Sequence, residues 1–308
     1  MDILKKMLFS DSNLRLGWIL ILLLAAIIAG EMLVVDPVGN LLENIGIQEM
    51  NSSTPQEWPH FFHECCKRGL RSILVFLSVW IVLRRFNDRD TADLAVRSGT
   101  TDVNDIVRGF GFGAFIQLFS VLVMSLWGWY RITGFLWEYN GYGDGIRAFL
   151  YAVIYSMETG IIEEALFRWF LISVLRSRFG LGISIIVSSC VFGSLHFSGF
   201  QSVFPWWASV VSSFAVGCVL AQAYIMKNSL WLPMGIHTGW HLAARVIGSV
   251  GVTAEEAVCC VTEVTGPTLL VNTRSGGAGG IELLGVAIIS YLLFARKSIH
   301  RKQDKWDP

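Results

Sequence analysis

Long runs of apolar residues recur along the chain and constrain its fold more than any other feature. Hydrophobic residues make up 53% of the 308 residues and charged residues only 16%, against roughly 25% charged in an average soluble protein. Crossing bilayer hydrocarbon as a helix takes about 20 apolar residues. The sequence therefore predicts an all-α fold, a polytopic membrane helical bundle that forms a single domain over residues 1–308.

Eight segments are predicted to be transmembrane helices. They are Leu16–Val35, Arg71–Leu83, Gly109–Tyr130, Ala148–Val174, Phe179–Phe197, Pro205–Met226, Leu230–Ile247 and Gly279–Ala295. The first is longer than the apolar core of a signal peptide, about 7–15 residues, so we interpret it as an uncleaved span. Pro233 is a candidate break in the seventh span.

Most of the 24 Lys and Arg residues fall in segments that share one side if the spans alternate from a cytoplasmic N-terminus. Cytoplasmic segments carry such an excess. We therefore expect both termini in the cytoplasm of a bacterial cell, with the protein in its inner (plasma) membrane. The net charge of zero favours no nucleic-acid partner.

Two adjacent cysteine pairs, Cys65–Cys66 and Cys259–Cys260, lie in predicted outer loops. If that side is oxidising, a disulfide between the loops is one interpretation. Free thiols are the alternative, because an alternating topology alone does not bring the two loops together.

Three charged residues interrupt the fourth span: Glu163, Glu164 and Arg168. Charges are expensive at bilayer depth, so ionisable residues there usually have a function. Glu164 and Arg168 share a helix face with the acid first, which favours an ion pair. Glu163 points about 100° away, which leaves it as the available general base. A packing cluster of salt bridges is the alternative, and Glu158 is expected at a cavity entrance or at the membrane interface.

Histidines provide a second group of candidate site residues. His196, His237 and His241 fall in predicted spans, whereas His60, His63 and His300 are interpreted as surface residues. Glu163 could activate water with help from His196, while His237 and His241 stabilise an oxyanion. Alternatively, His196, His237, His241 and Glu163 could bind zinc that activates the water, although no H-E-x-x-H motif is present.

These residues resemble the CPBP family (also called Abi), which are glutamic-type intramembrane endopeptidases related to the type II CAAX prenyl proteases. The family pattern is E-E-x-x-x-R, then F-x-x-x-H, then H-x-x-x-N or a similar polar residue. It is matched by Glu163-Glu164-Ala-Leu-Phe-Arg168, Phe192-Gly-Ser-Leu-His196 and His237-Thr-Gly-Trp-His241. The resemblance covers a protease core of about residues 148–247.

The resemblance implies a role for each matching residue. Glu163 would activate water, His196 would assist it, and His237 would stabilise the oxyanion, with Glu164 and Arg168 as the supporting pair. His241 departs from the asparagine typical of the eukaryotic prenyl proteases, but imidazole can still donate one hydrogen bond.

A metal-free hydrolysis of a peptide or protein substrate in or at the membrane is the implied activity. The identity of that substrate is not implied. The competing hypotheses are a zinc-dependent hydrolase, a proton-coupled transporter and a non-catalytic membrane scaffold. Transporters commonly contain repeated halves, and this sequence shows no such repeat.

Overall fold

The computed structural model describes residues 16–44, 58–86, 100–140, 142–196, 206–248, 258–271 and 279–303. The helices are α1 (Leu16–Gly30), α2 (Asp36–Asn44), α3 (Trp58–Phe86), α4 (Thr100–Leu126), α5 (Leu136–Asn140), α6 (Tyr142–Glu163), α7 (Ser173–Leu195), α8 (Trp206–Lys227), α9 (Trp231–Ile247) and α10 (Gly280–Gln303). Two π-helical segments, π1 (Glu31–Val35) and π2 (Glu164–Ile172), join α1 to α2 and α6 to α7.

Several helices are long and apolar enough to cross a membrane, which confirms the predicted membrane helical bundle. They cover Trp18–Leu42, Asp102–Leu126, Tyr142–Leu195 and Trp207–Lys227, with a shorter apolar helix at Gly280–Leu293. The total of eight spans stays a prediction.

The stretch from Tyr142 to Leu195 covers the fourth and fifth predicted spans, and the chain reverses direction at Gly180 between them. The backbone of Gly180 has φ 77° and ψ 171°, a conformation that glycine adopts without steric cost. The rings of Phe167 and Phe192 are 5.4 Å apart, whereas a straight helix would separate these residues by about 37 Å. The segments on either side of Gly180 are therefore antiparallel neighbours.

The third helix, α3, begins at Trp58, well before the predicted start at Arg71. Its first turns pack against α2, and a Cβ on Gly39 would lie only 3.6 Å from Nε2 of His63. His63 is fully buried, so its interpretation as a surface residue is wrong. The expected break at Pro233 is also wrong. Proline fits without a break because it lies in the first turn of α9, where the backbone N–H has no intrahelical acceptor.

Ion pairs join the C-terminal half of α6 to α3. Glu158 of α6 lies 2.5 Å from Nη1 of Arg68 and 3.4 Å from Nη1 of Arg71. Arg71 also pairs with Glu31 of π1 at 2.5 Å. Glu158 is therefore a buried residue that connects α6 to α3, and its expected place at a cavity entrance or the membrane interface stays a prediction.

A small antiparallel sheet, which the sequence does not predict, joins β1 (Tyr130–Phe135) and β2 (Cys260–Val264). The hydroxyl of Tyr130 donates to the carbonyl of Ile247 at the end of α9, and burial raises the pKa of Tyr130 to about 12. Thr262 Oγ1 donates to the carbonyl oxygen of Gly248 at 2.7 Å. The segments after α4 and α9 thus lie on one side, as the alternating topology predicts.

The segment π2 lies at the centre of the bundle. Trp169 and Phe170 pack in one apolar cluster with α1, α3 and α8, while Phe167 packs in a second cluster with α4, α9 and α10. The charged residues of π2 are consequently surrounded by packed helices.

Candidate active site

Glu164 is the buried centre of the candidate site, with a side chain that is 0% exposed. Its Oε1 accepts a hydrogen bond from Nη1 of Arg168 at 3.0 Å, so the ion pair expected from their spacing is present. The same Oε1 lies 2.8 Å from Nδ1 of His237 on α9. One carboxylate oxygen therefore joins π2 to the helix that carries two of the candidate histidines.

Neighbouring helices satisfy polar groups of π2. Ser188 Oγ of α7 donates to the carbonyl oxygen of Phe167 at 2.8 Å, and Nη2 of Arg168 donates to the carbonyl oxygen of Gly217 on α8 at 3.3 Å. π-Helical turns are rare and occur frequently at functional sites. These tertiary bonds hold the irregular turn in which Glu164 and Arg168 face the site.

His237 and His241 form a stacked pair one turn apart on α9. Their ring centroids are 4.9 Å apart, and their Nε2 atoms are separated by 3.1 Å. A carboxylate only accepts, so the hydrogen on Nδ1 of His237 points to Glu164. In the neutral tautomer with that hydrogen, Nε2 of His237 is the acceptor, so Nε2 of His241 carries the hydrogen and donates it to His237.

Glu163 differs from its neighbour in exposure and in partners. Its side chain is 26% exposed, and Oε2 lies 3.7 Å from Nε2 of His237. No hydrogen-bond partner contacts this oxygen among the residues that the structure describes. Glu163 is therefore partly exposed, whereas Glu164 is fully buried and only its Oε1 is engaged by Arg168 and His237.

His196 directly follows α7, and the ring of Phe192 contacts the rings of both His196 and His237. Its Nδ1 lies 2.8 Å from the carbonyl oxygen of Phe192. Because a carbonyl only accepts, Nδ1 carries the hydrogen and Nε2 of the neutral ring has a free lone pair. The ring of Phe192 is 4.5 Å from that of His196 and 6.0 Å from that of His237.

The structure thus brings five predicted site residues into one contact network, and the sixth, His196, contacts the ring of Phe192. The network contains Glu163, Glu164, Arg168, His237 and His241. Within the described ranges, no group of three or more His, Cys, Asp or Glu side chains is arranged to hold a metal ion.

Sequence reasoning missed a cation one turn beyond the histidine pair. Arg245 is buried on α9, and its guanidinium lies 4.0 Å from the ring centre of Tyr155 on α6. The guanidinium of Arg68 lies 4.9 Å from the same ring. An arginine four residues after His241 within a span was the available signal, but its aromatic partner on α6 was not predictable.

The fold and the site define the class of this protein. It is a helical membrane protein with a buried site in which carboxylates and imidazoles are in contact. Residues 145–243 match the family model described as type II CAAX prenyl endopeptidase Rce1-like. This match supports the resemblance to CAAX-type membrane proteases that the three sequence motifs predicted. Comparisons with curated proteins and with solved structures found no match.

Proposed function

We propose that this chain is an intramembrane endopeptidase in which Glu163 activates the water that attacks a peptide bond. The observation that carries the proposal is the contrast between two adjacent carboxylates. Glu163 is 26% exposed with an unpartnered oxygen, while Glu164 is enclosed by Arg168 and His237. Glu163 is therefore the carboxylate of the two that water can reach, since the side chain of Glu164 is 0% exposed.

The histidine pair supplies the proposed oxyanion stabilisation. The Nε2–H of His241, and that of His237 when both its ring nitrogens are protonated, can donate to the oxygen of a tetrahedral intermediate in place of the partner nitrogen 3.1 Å away. Donors that are already in place, in a site with little water, stabilise such charge strongly. Glu164 supports this role because it holds the other nitrogen of His237.

His196 is proposed to assist Glu163. Its Nε2 has a free lone pair when Nδ1 donates to Phe192, so it can accept a proton and later return it to the leaving amine. The ring of Phe192 lies against the imidazole of His196, with ring centres 4.5 Å apart.

Metal-free hydrolysis is the favoured form of the reaction. The zinc alternative would gather His196, His237, His241 and Glu163 around one ion. Among the described residues, these side chains are not arranged as a group that could hold a metal ion. The Nδ1 contacts of His237 with Glu164 and of His196 with a backbone carbonyl are compatible with either form, because a metal-bound histidine commonly donates its other ring N–H in this way. A chelator distinguishes the two forms, since only the zinc form loses activity on treatment and recovers it when zinc is restored.

The proposed substrate is a peptide or protein in or at the membrane, and the proposed location is a bacterial inner membrane with both termini cytoplasmic. The family description names a prenyl endopeptidase, so the first probes are two quenched fluorescent peptides ending in a C-a-a-X sequence, one farnesylated and one unmodified. Peptides released from cell membranes with and without the protein extend the search to other substrates.

Glu163→Gln tests the mechanism because it preserves shape and removes the base. We expect cleavage to fall by about 100-fold or more, the scale of general-base catalysis. Glu263→Gln is the matched control, because Glu263 is exposed on β2. Equal cleavage by wild type and Glu163→Gln would overturn the proposal.

A further inference from the structure

We infer that the contact between Gly160 on α6 and Thr238 on α9 is a positioning device that sets the distance between the two sides of the active site. Gly160 lies about one turn before Glu163 and Glu164, and Thr238 directly follows His237. The inference rests on the proposed function, because it concerns how that site is assembled.

The two helices meet through this glycine. A Cβ added to Gly160 would lie 2.6 Å from Oγ1 of Thr238 and 3.3 Å from the carbonyl oxygen of Met234. A real Cβ atom essentially never lies within 3.0 Å of a heavy atom of another residue. Any larger residue at this position must therefore move α9 or turn the Thr238 side chain. Threonine is β-branched and has few rotamers in a helix, so rotation of the Thr238 side chain is restricted.

On its other side α9 cannot move away from α6 because it lies against α4. The backbone of Gly113 on α4 faces the carbonyl oxygen of Ile236, and Gly239 of α9 faces the carbonyl oxygen of Phe110. A Cβ at either glycine would overlap the opposing backbone. Small residues at such crossings let helices approach closely, so α9 is held between α4 and α6.

This arrangement of helices sets the distances from His237 to the two glutamates. His237 Nδ1 lies 2.8 Å from Oε1 of Glu164 and Nε2 lies 3.7 Å from Oε2 of Glu163. A shift of α9 by less than 1 Å would lengthen both distances, since the carboxylates belong to the α6–π2 side and the imidazole to α9. Misplacement by about 1 Å can cost about 100-fold in rate.

A double-mutant cycle isolates this contact. Gly160→Ala should lower kcat by about 10-fold or more with KM unchanged, because substrate still binds while the reacting groups are misplaced. Adding Thr238→Ala removes the clashing oxygen and should restore most of the lost kcat. Gly145→Ala is the matched control, because a Cβ there would lie 3.7 Å from Trp137, an ordinary contact on the same helix.

Thermal unfolding of the same four proteins (wild type, both single variants and the double variant) gives a readout that needs no substrate. Gly160→Ala should lower the Tm, and Thr238→Ala should partly restore it. Full activity of Gly160→Ala, or failure of the second substitution to restore kcat, would overturn the positioning role.

The experiments distinguish failure of the proposed function from failure of the positioning role. If wild type and Glu163→Gln cleave equally, the base assignment is wrong even when the unfolding cycle shows the Gly160–Thr238 coupling, and the contact then positions no catalytic group. If Glu163→Gln is inactive while the cycle shows no coupling in Tm or in kcat, the proposed function stands and the positioning device is wrong.

Discussion

The imidazole of His237 and the carboxylate of Glu164 meet at 2.8 Å across two different helices. The same carboxylate oxygen accepts from Arg168 at 3.0 Å. Glu164 thus serves as a shared acceptor that connects a buried guanidinium to a candidate catalytic ring. Its neighbour Glu163 has no comparable role, although the two residues are adjacent and chemically identical.

Substitution by glutamine should mainly lower the Tm at Glu164 and mainly lower the cleavage rate at Glu163. Glu164→Gln leaves Arg168 buried without its counter-charge, and breaking a buried ion pair costs about 3–5 kcal/mol, so the Tm should fall markedly. Glu163→Gln should change stability by less than about 1 kcal/mol while abolishing cleavage. Thermal unfolding of both variants in detergent is the measurement, and equal Tm losses would contradict the separate roles.

Ser188 of α7 should stabilise π2 through its hydrogen bond to the carbonyl oxygen of Phe167. Ser188→Ala removes the buried hydrogen bond to the carbonyl of Phe167, 2.8 Å long, and a hydrogen bond of this kind contributes about 0.5–1.5 kcal/mol. We expect a lower Tm together with reduced cleavage, because π2 carries Glu164. Ser194→Ala is the control on the same helix, since Ser194 is exposed and bonds only within its own turn. Indistinguishable variants would argue against the support of π2 by Ser188.

The crossing of α4 and α9 should tolerate no side chain at Gly113. Gly113→Ala would overlap the backbone at Ile236, and overpacking costs about 1–3 kcal/mol. Gly111→Ala on the same helix meets no atom within 4 Å and should leave both the Tm and cleavage unchanged. Unfolding and cleavage assays of the pair test this, and a harmless Gly113→Ala would show that α9 is free to shift away from α4.

The ion pairs of Glu158 with α3 should contribute to stability rather than to chemistry. Glu158→Gln removes the partner of Arg68 at 2.5 Å in a buried setting, so the Tm should fall while kcat of the folded enzyme is retained. Asp144→Asn is the comparison, because its ion pair with Arg147 is 43% exposed on the Asp side and exposed pairs contribute about 0–1 kcal/mol. Loss of kcat without loss of Tm in Glu158→Gln would instead place Glu158 in the catalytic site.

The thiols of Cys259 and Cys260 should react slowly with alkylating reagents at neutral pH. Burial raises the pKa of both thiols, and burial raises the pKa of Cys65 to about 11. The thiolate is the nucleophile, so a raised pKa lowers its fraction at neutral pH and the rate should rise as pH increases. Mass measurement after timed alkylation, with N-acetylcysteine as reference, checks this.

The cysteines in the described residues are all free in the structure, which favours the free-thiol interpretation over a bridge between the two outer pairs. Alkylation of the unreduced protein under denaturing conditions should therefore label Cys65, Cys66, Cys259 and Cys260. Thiols that become reactive only after reduction would restore the disulfide interpretation.

Sequence periodicity and composition determined the membrane helical bundle, because a chain with about 20-residue apolar runs has few ways to satisfy its backbone in hydrocarbon. Local spacing also determined the Glu164–Arg168 pair, since residues four apart on a helix are neighbours in any tertiary context. The family was recognisable for the same reason, as its three motifs are short and local.

Only the tertiary structure decided which groups meet across helices. Glu164 contacts His237 because α9 packs against α6 through Gly160, and Phe192 contacts Phe167 because the chain reverses at Gly180. These contacts join residues far apart in the chain, and helical periodicity specifies which face a residue occupies but not which helix that face meets. The division between a shared structural carboxylate and an available one therefore became visible only in three dimensions.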